Sequence, residues 1–464
     1  MILDRGSVVG RVRAEVADDL AASGMRSMSV GDRRELARQL ALTRLQSVAA
    51  ERLVAGEQPV DVRDEQRLAQ EVLDALFGLG KLQALIDDPS IENIDINGCD
   101  VVWVTHADGT KESVDGVAET DDELIEMIRS AAARFGLSER RFDNACPDLD
   151  LRLPDGSRLS ALMSVTPRPS ISVRRHRYVR LSLAELEDMG AFGAEVGAFL
   201  AAAVRARKNI VVAGAMNSGK TTLVRALVSE IPPRERIVTI EQAFELGLDT
   251  MPERHPDLVA LEARPANSEG EGEITMARLV RRALRMNADR VVVGEVLGDE
   301  VLPMLNAMSQ GRAGSMCTIH ADSSAGVFRR LATYALQAPE RLPLEATNML
   351  IAGAVHFVVY IDVADVGTPA HPGTAAPGGA RRDHRIPLLV PTTHFETVRR
   401  TRFVSSIREV VDAEGLQVVS NEIFRPGADG HAVAGAPLRT ATTDALSEQG
   451  YDAVWWRSGI RGAR

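Results

Sequence analysis

Gly214-Ala215-Met216-Asn217-Ser218-Gly219-Lys220-Thr221-Thr222 decides the fold. A glycine, four free positions and Gly-Lys-Thr fit the phosphate-binding loop pattern. The flanks fit as well. Asn209-Ile210-Val211-Val212-Ala213 is a short apolar run of buried-strand type, and Thr221 to Val228 reads as a helix stopped near Pro232-Pro233. In a strand, loop and helix of this kind, the glycines let backbone N–H groups curl toward phosphate oxygens. The helix N-terminus adds a partial positive charge. Residues 214–222 are therefore expected to bind ATP, with Lys220 reaching the β- and γ-phosphates and the Thr221 hydroxyl holding Mg²⁺.

Downstream of the loop, apolar runs alternate with helical stretches, the pattern of a mostly parallel sheet with crossover helices. The expected strands are 209–213, 236–240, 290–294 and 315–319. The first runs into the loop, and the others end at Glu241, Glu295 and His320. Open α/β sheets bind ligands at the carboxyl ends of their strands, so four such ends on one edge carry more weight than any one. Glu295 is the best general-base candidate. Glu241 is a candidate to hold Mg²⁺ through water, and His320 to sense or polarise a γ-phosphate. Taken singly, Glu241 and His320 fit structural roles as well. Residues 352–363 read as one more strand. A flexible Gly/Pro/Ala-rich insert follows at about 366–385, and then a late hairpin through Phe424.

Upstream, amphipathic helices are expected from Asp32 to about Ala55 and from Asp64 to Phe77. Thr120-Asp121-Asp122-Glu123 and Ser182-Leu183-Ala184-Glu185 have capping-box spacing. Asp148 to Leu159 alternates strictly around Pro154-Asp155-Gly156, a hairpin signature. The organisation that follows is a helical extension over 1–62, an α+β domain over 63–180, an α/β P-loop domain over 181–425 and a tail over 426–464.

With 464 residues, 45% of them apolar, the chain holds a sizeable, mostly aliphatic core. A net charge of −11 disfavours nucleic acid as the main partner. Cys99, Cys146 and Cys317 lie far apart without metal-ligand spacing, which fits a reducing cytosol. Neither a signal-peptide layout nor an apolar run of about 18 residues is present, so membrane association is expected through partners.

These motifs together resemble the secretion ATPases of the type II/IV superfamily, and within it the tight-adherence (Flp) pilus assembly branch, TadA/CpaF-like. The resemblance covers about residues 65–363. Arg236 to Glu241 looks like the family's aspartate box. Leu284-Arg285-Met286 with Asp289 to Val296 looks like its Walker B segment, and Thr318-Ile319-His320-Ala321 like the end of its histidine box. It implies a RecA-like ATPase domain behind a smaller N-terminal domain, a homohexameric ring, and docking on inner-membrane platform proteins at the cytoplasmic face. ATP hydrolysis would then power pilus assembly or secretion. Arg158 and Arg174 match family arginines that reach the phosphates.

Four departures stand against that pattern: Gln242 for Asp, Asn287-Ala288 for Arg-Pro, Leu297 for Arg and Arg312 for His. They are expected to slow turnover more than they weaken binding, because positioning acts mainly on the transition state. The rival readings are a nucleotide-gated structural ring with very slow turnover, a DNA-translocating motor and, least favoured, a small-molecule kinase.

Overall fold

The computed structural model describes residues 5–22, 30–56, 62–106, 109–135, 141–175, 181–266, 270–309, 313–366 and 399–452. The expected insert and the departure at Arg312 lie outside the described residues. The chain divides into two compact units, Met1–His176 and Arg177–Arg464.

The first unit opens with three packed helices, α1 (Arg5–Ala22), α2 (Val30–Val54) and α3 (Val62–Phe77). Val12, Val16, Ala37, Ala41, Leu68 and Val72 form their shared core. Residues 1–30 carry little apolar signal, because α1 buries Val12 and Val16 in this core, one turn apart, and adds Val8, Val9 and Leu20 at its margin. Next come α4 (Lys81–Asp87), β1 (Ile91–Asn97), β2 (Val102–His106), β3 (Lys111–Val114), α5 (Asp121–Phe135), β4 (Asp148–Arg152), β5 (Arg158–Leu162) and β6 (Ser170–Arg174). The six strands form an antiparallel sheet in the order β3-β2-β1-β6-β5-β4.

One face of this sheet packs Leu149, Leu159, Ala161, Ile171 and Val173 against Leu124 and Ile128 of α5. The period-2 alternation of these strands follows from having one buried face. The β4–β5 turn has Gly156 at φ 88°, and Asp155 accepts hydrogen bonds from Ser157. At α5, Thr120 Oγ1 accepts from Glu123 N–H at 3.1 Å, but the Glu123 carboxylate accepts from Glu119 N–H, one residue earlier than a capping box requires. At Ser182 both bonds of the box are present.

The second unit runs α6 (Leu183–Asp188), α7 (Ala194–Arg205), β7 (Ile210–Gly214), α8 (Lys220–Val228), β8 (Ile237–Glu241), β9 (Leu258–Glu262), α9 (Met276–Ala283), β10 (Arg290–Val296), α10 (Val301–Ser309) and β11 (Met316–His320). It continues with α11 (Gly326–Gln337), α12 (Leu344–Ala354), β12 (Phe357–Val366), β13 (Arg399–Glu414), β14 (Gln417–Pro426), β15 (Ala432–Ala434) and α13 (Thr440–Ser447). Its nine strands are ordered β15-β14-β13-β12-β7-β11-β10-β8-β9. From β9 to β12 neighbouring strands are parallel, and from β12 to β15 they are antiparallel. The architecture of this unit is thus α/β with a mixed sheet, and the smaller unit that precedes it in sequence is built on its own sheet.

Both faces of the parallel half are covered. Ile210 and Val212 pack toward α7 and α8, while Val211 and Ala213 pack toward the core of α9 to α12. Burial on both sides is why β7 reads as an unbroken apolar run. The strand expected at 352–363 starts later. Residues up to Ala354 complete α12, and the strand begins at Phe357. Helix end and strand start are both apolar there, so no polarity change marks the boundary.

Buried polar groups set the strand starts. The Asn209 amide donates to Met308 and Ala354 carbonyls, and its oxygen accepts from Gly314 and Ser315 N–H. This ties the start of β7 to the start of β11. Arg290, fully buried at the start of β10, pairs with both oxygens of Glu235 at 2.8 and 3.1 Å. At the other end of the unit, buried Glu409 accepts from Arg439 N–H and Nε and from Thr442 Oγ1, which clasps α13 onto β13. Tyr451 joins the core with its ring 5.8 Å from that of Phe199 on α7. No helix among the described residues is long and apolar enough to cross a membrane.

Candidate functional site

The phosphate loop begins at Gly214, the last residue of β7. A β-carbon there would lie 2.5 Å from Ser218 Oγ and 2.6 Å from the Ile361 carbonyl, so only glycine fits. Asn217 and Gly219 take left-handed backbone, with φ 59° and 92°. Lys220 opens α8 and is buried. Its ammonium donates to the Ala215 carbonyl at 2.9 Å and to the Gly214 carbonyl at 3.4 Å. Buried Ser218 Oγ, within the loop, has no hydrogen-bond partner here. A loop rich in N–H donors, a buried cation and an unpartnered hydroxyl form a donor set suited to a polyphosphate.

β10 and β11 deliver the next two groups. Lys220 Nζ lies 3.1 Å from His320 Nδ1, and His320 Nε2 lies 2.7 Å from Glu295 Oε1. An ammonium has only donors, so Nδ1 must accept. The ring proton then sits on Nε2 and is donated to Glu295. Burial and the neighbouring Lys220 charge push the His320 pKa below its ordinary value and so favour the neutral ring, while Glu295 pulls the other way. Lys220, His320 and Glu295, expected separately from three strand ends, are therefore one hydrogen-bonded chain. Thr318 Oγ1 donates to the Gly294 carbonyl at 2.6 Å and holds β11 in step with β10 beside them.

Glu241 behaves differently. It is buried, and its Oε1 accepts from the N–H groups of Glu245 and Leu246 at 2.8 and 2.7 Å. Burial raises its pKa to about 7. Its stem fills the space over Gly294, where a β-carbon would lie 2.9 Å from Glu241 Cγ. The carboxylate that approaches Thr221 belongs instead to Glu245, with Oε2 3.5 Å from Thr221 Oγ1. Arg225 on α8 donates to the backbone carbonyls of Glu245 and Leu246 and holds this segment over the helix. The sequence reading missed Glu245. A second acid four residues beyond a fully buried strand was the available signal. Thr221 hydroxyl and Glu245 carboxylate are oxygen donors of the kind Mg²⁺ takes alongside water.

Arg158 and Arg174 stand directly opposite each other on β5 and β6 in the first unit, and Asp150 lies 3.4 Å from Arg158. Gln242 is exposed, and so is Leu297 at 49%. Asn287 has left-handed backbone, φ 53°, just before buried Ala288.

The family described as Type II/IV secretion system protein matches residues 76–360. A Mycobacterium tuberculosis protein that carries the name of a conjugal transfer protein is 36% identical over 295 residues, 62% of this chain and 80% of its own length. Type IV secretion system protein VirB11 of Brucella suis is 30% identical over 313 residues, 61% of this chain and 84% of that protein. The crystal structure of the Brucella suis VirB11 ATPase with sulphate shares 28% identity, with 61% of this chain and 90% of that one covered and a TM-score of 0.32. The chain belongs to the type II/IV secretion system protein family.

Proposed function

We propose that the chain binds Mg·ATP at the carboxyl edge of the parallel strands and hydrolyses it to drive pilus assembly or protein secretion. The observation that carries this is the chain from Lys220 through His320 to Glu295, beside the Thr221 and Glu245 pair. The loop amides and Lys220 bind and orient the phosphates. Glu295, held by His320 Nε2–H, takes the proton of the attacking water. Thr221 and Glu245 would hold Mg²⁺, which would offset phosphate charge. Arg158 and Arg174 are further phosphate-binding cations in this reading.

The finer assignment is the tight-adherence (Flp) branch, a homohexamer docked on integral inner-membrane platform proteins. It rests on the motif resemblance and on the family membership. The test is phosphate release from the full chain with Mg·ATP beside Glu295→Gln. Release that is equal in the two proteins removes Glu295 as the base, and no binding of ATP at all removes the reading. A nucleotide-gated ring with very slow turnover is the second reading, favoured by exposed Gln242 and Leu297 at positions where the resemblance expects Asp and Arg.

A further inference from the structure

Arg402 belongs to no motif in the sequence and lies beyond residue 360, where the family match ends. It stands on β13 opposite Val363 of β12, and β12 runs beside β7 with Ile361 paired to Gly214. Two strand steps bring its side chain to the phosphate loop. Arg402 Nε donates to the Asn217 carbonyl at 2.9 Å. Its Cδ lies 3.5 Å from the point that a β-carbon on Gly219 would occupy, so its stem covers the open side of that glycine.

This contact falls where the loop most needs support. Left-handed backbone is costly for a residue other than glycine and persists only when its surroundings hold it. Asn217 is the loop's one such residue. Its carbonyl and the Ser218 N–H share a planar trans peptide and point in opposite directions. Fixing the carbonyl therefore fixes the amide. Within the protein that amide has a weak partner, the Ala215 carbonyl at 3.3 Å.

We propose that Arg402 is a positioning residue of the nucleotide site, holding the phosphate loop in its binding conformation from a strand outside the family core. The inference rests on the reading that this loop binds nucleotide. The cradle serves phosphates that ATP and ADP share, so loss of Arg402 acts on both ligands alike.

The experiment measures the affinity of the full-length chain for Mg·ATP and Mg·ADP by titration with a fluorescent analogue and competition. Arg402→Ala is expected to weaken both ligands about tenfold, the scale of one hydrogen bond from a charged donor. Arg402→Gln, which keeps an N–H near the same place without the charge, recovers most of the loss. Arg425→Ala, which removes the same charge from neighbouring β14, leaves both affinities unchanged. Should Arg402→Ala not fold by thermal melting, Arg402→Met keeps the stem over Gly219, removes the donor and shows the same loss.

Wild-type affinity in the donor-less variant overturns the proposal. So does a loss confined to ATP, which would mean direct contact with the γ-phosphate, or an Arg402→Gln as weak as the alanine variant. Lys220→Ala in the same assay separates the two levels. If wild type binds and Lys220→Ala does not, a neutral Arg402→Ala removes the role of Arg402 alone. If wild type binds no nucleotide, both readings fall.

Discussion

The two halves of the nine-stranded sheet treat chemistry differently. In the parallel half all strands run the same way, so their carboxyl ends share one edge, and Gly214, Glu241, Glu295 and His320 gather there by direction alone. In the antiparallel half each strand reverses. That edge therefore receives the start of one strand and the end of the next in turn, and the start of β13 brings Arg402 there. A parallel sheet concentrates functional groups as a consequence of topology, whereas an antiparallel one contributes them singly, through register.

The largest effect expected of this contrast is at Lys220. Lys220→Ala should abolish high-affinity Mg·ATP binding while melting like the wild type. Unchanged affinity in the folded variant would break the assignment of the edge. Next is Glu295→Gln, expected to lower hydrolysis about 10²–10⁴-fold with binding kept. A fall of less than about threefold in single-turnover assays would move the base elsewhere.

Glu245 and Glu241 sharpen the contrast further. Glu245→Gln should raise the Mg²⁺ concentration needed for half-maximal turnover, while Glu241→Gln should act on stability. The Glu241 pKa is raised on folding from 4.5 to about 7. The wild type is therefore favoured below about pH 4.5 and loses that stability as pH rises through 7. The loss is on the order of 3 kcal/mol at most. Denaturant melts at pH 5 and pH 8 should show a drop in wild type that Glu241→Gln lacks. An equal drop in both would mean that the buried carboxyl does not control the transition. The smallest effects are expected of Gln242→Asp and Leu297→Arg, which should raise steady-state turnover about twofold each. No gain in either, or in the double change, would make these departures neutral.

Much of the parallel half was legible because strands buried on both faces, such as β7, read as continuous apolar runs. Pairing among the site residues was not legible. That Glu241 turns onto backbone while Glu245 meets Thr221 depends on how residues 242–246 fold back over α8, and no periodicity records that. Arg402 was hidden for a similar reason. Residues 367–398 separate β12 from β13 in sequence, too long a stretch for loop length to predict their register. The last elements, β15 and α13, are too short to show a period, so nothing in the sequence marks the part that Leu446 and Tyr451 take in the core.

The packing of Phe199 against Phe357, Phe424 and Tyr451 also has a consequence in time. A ribosome adds about 5–20 residues per second, so α7 emerges roughly 13–50 s before its last aromatic neighbour is made. During that interval an apolar helix face must wait without its partners. Nascent chains stalled before Tyr451 should therefore be bound by chaperones that recognise exposed apolar segments, and should shed them once the ring arrives.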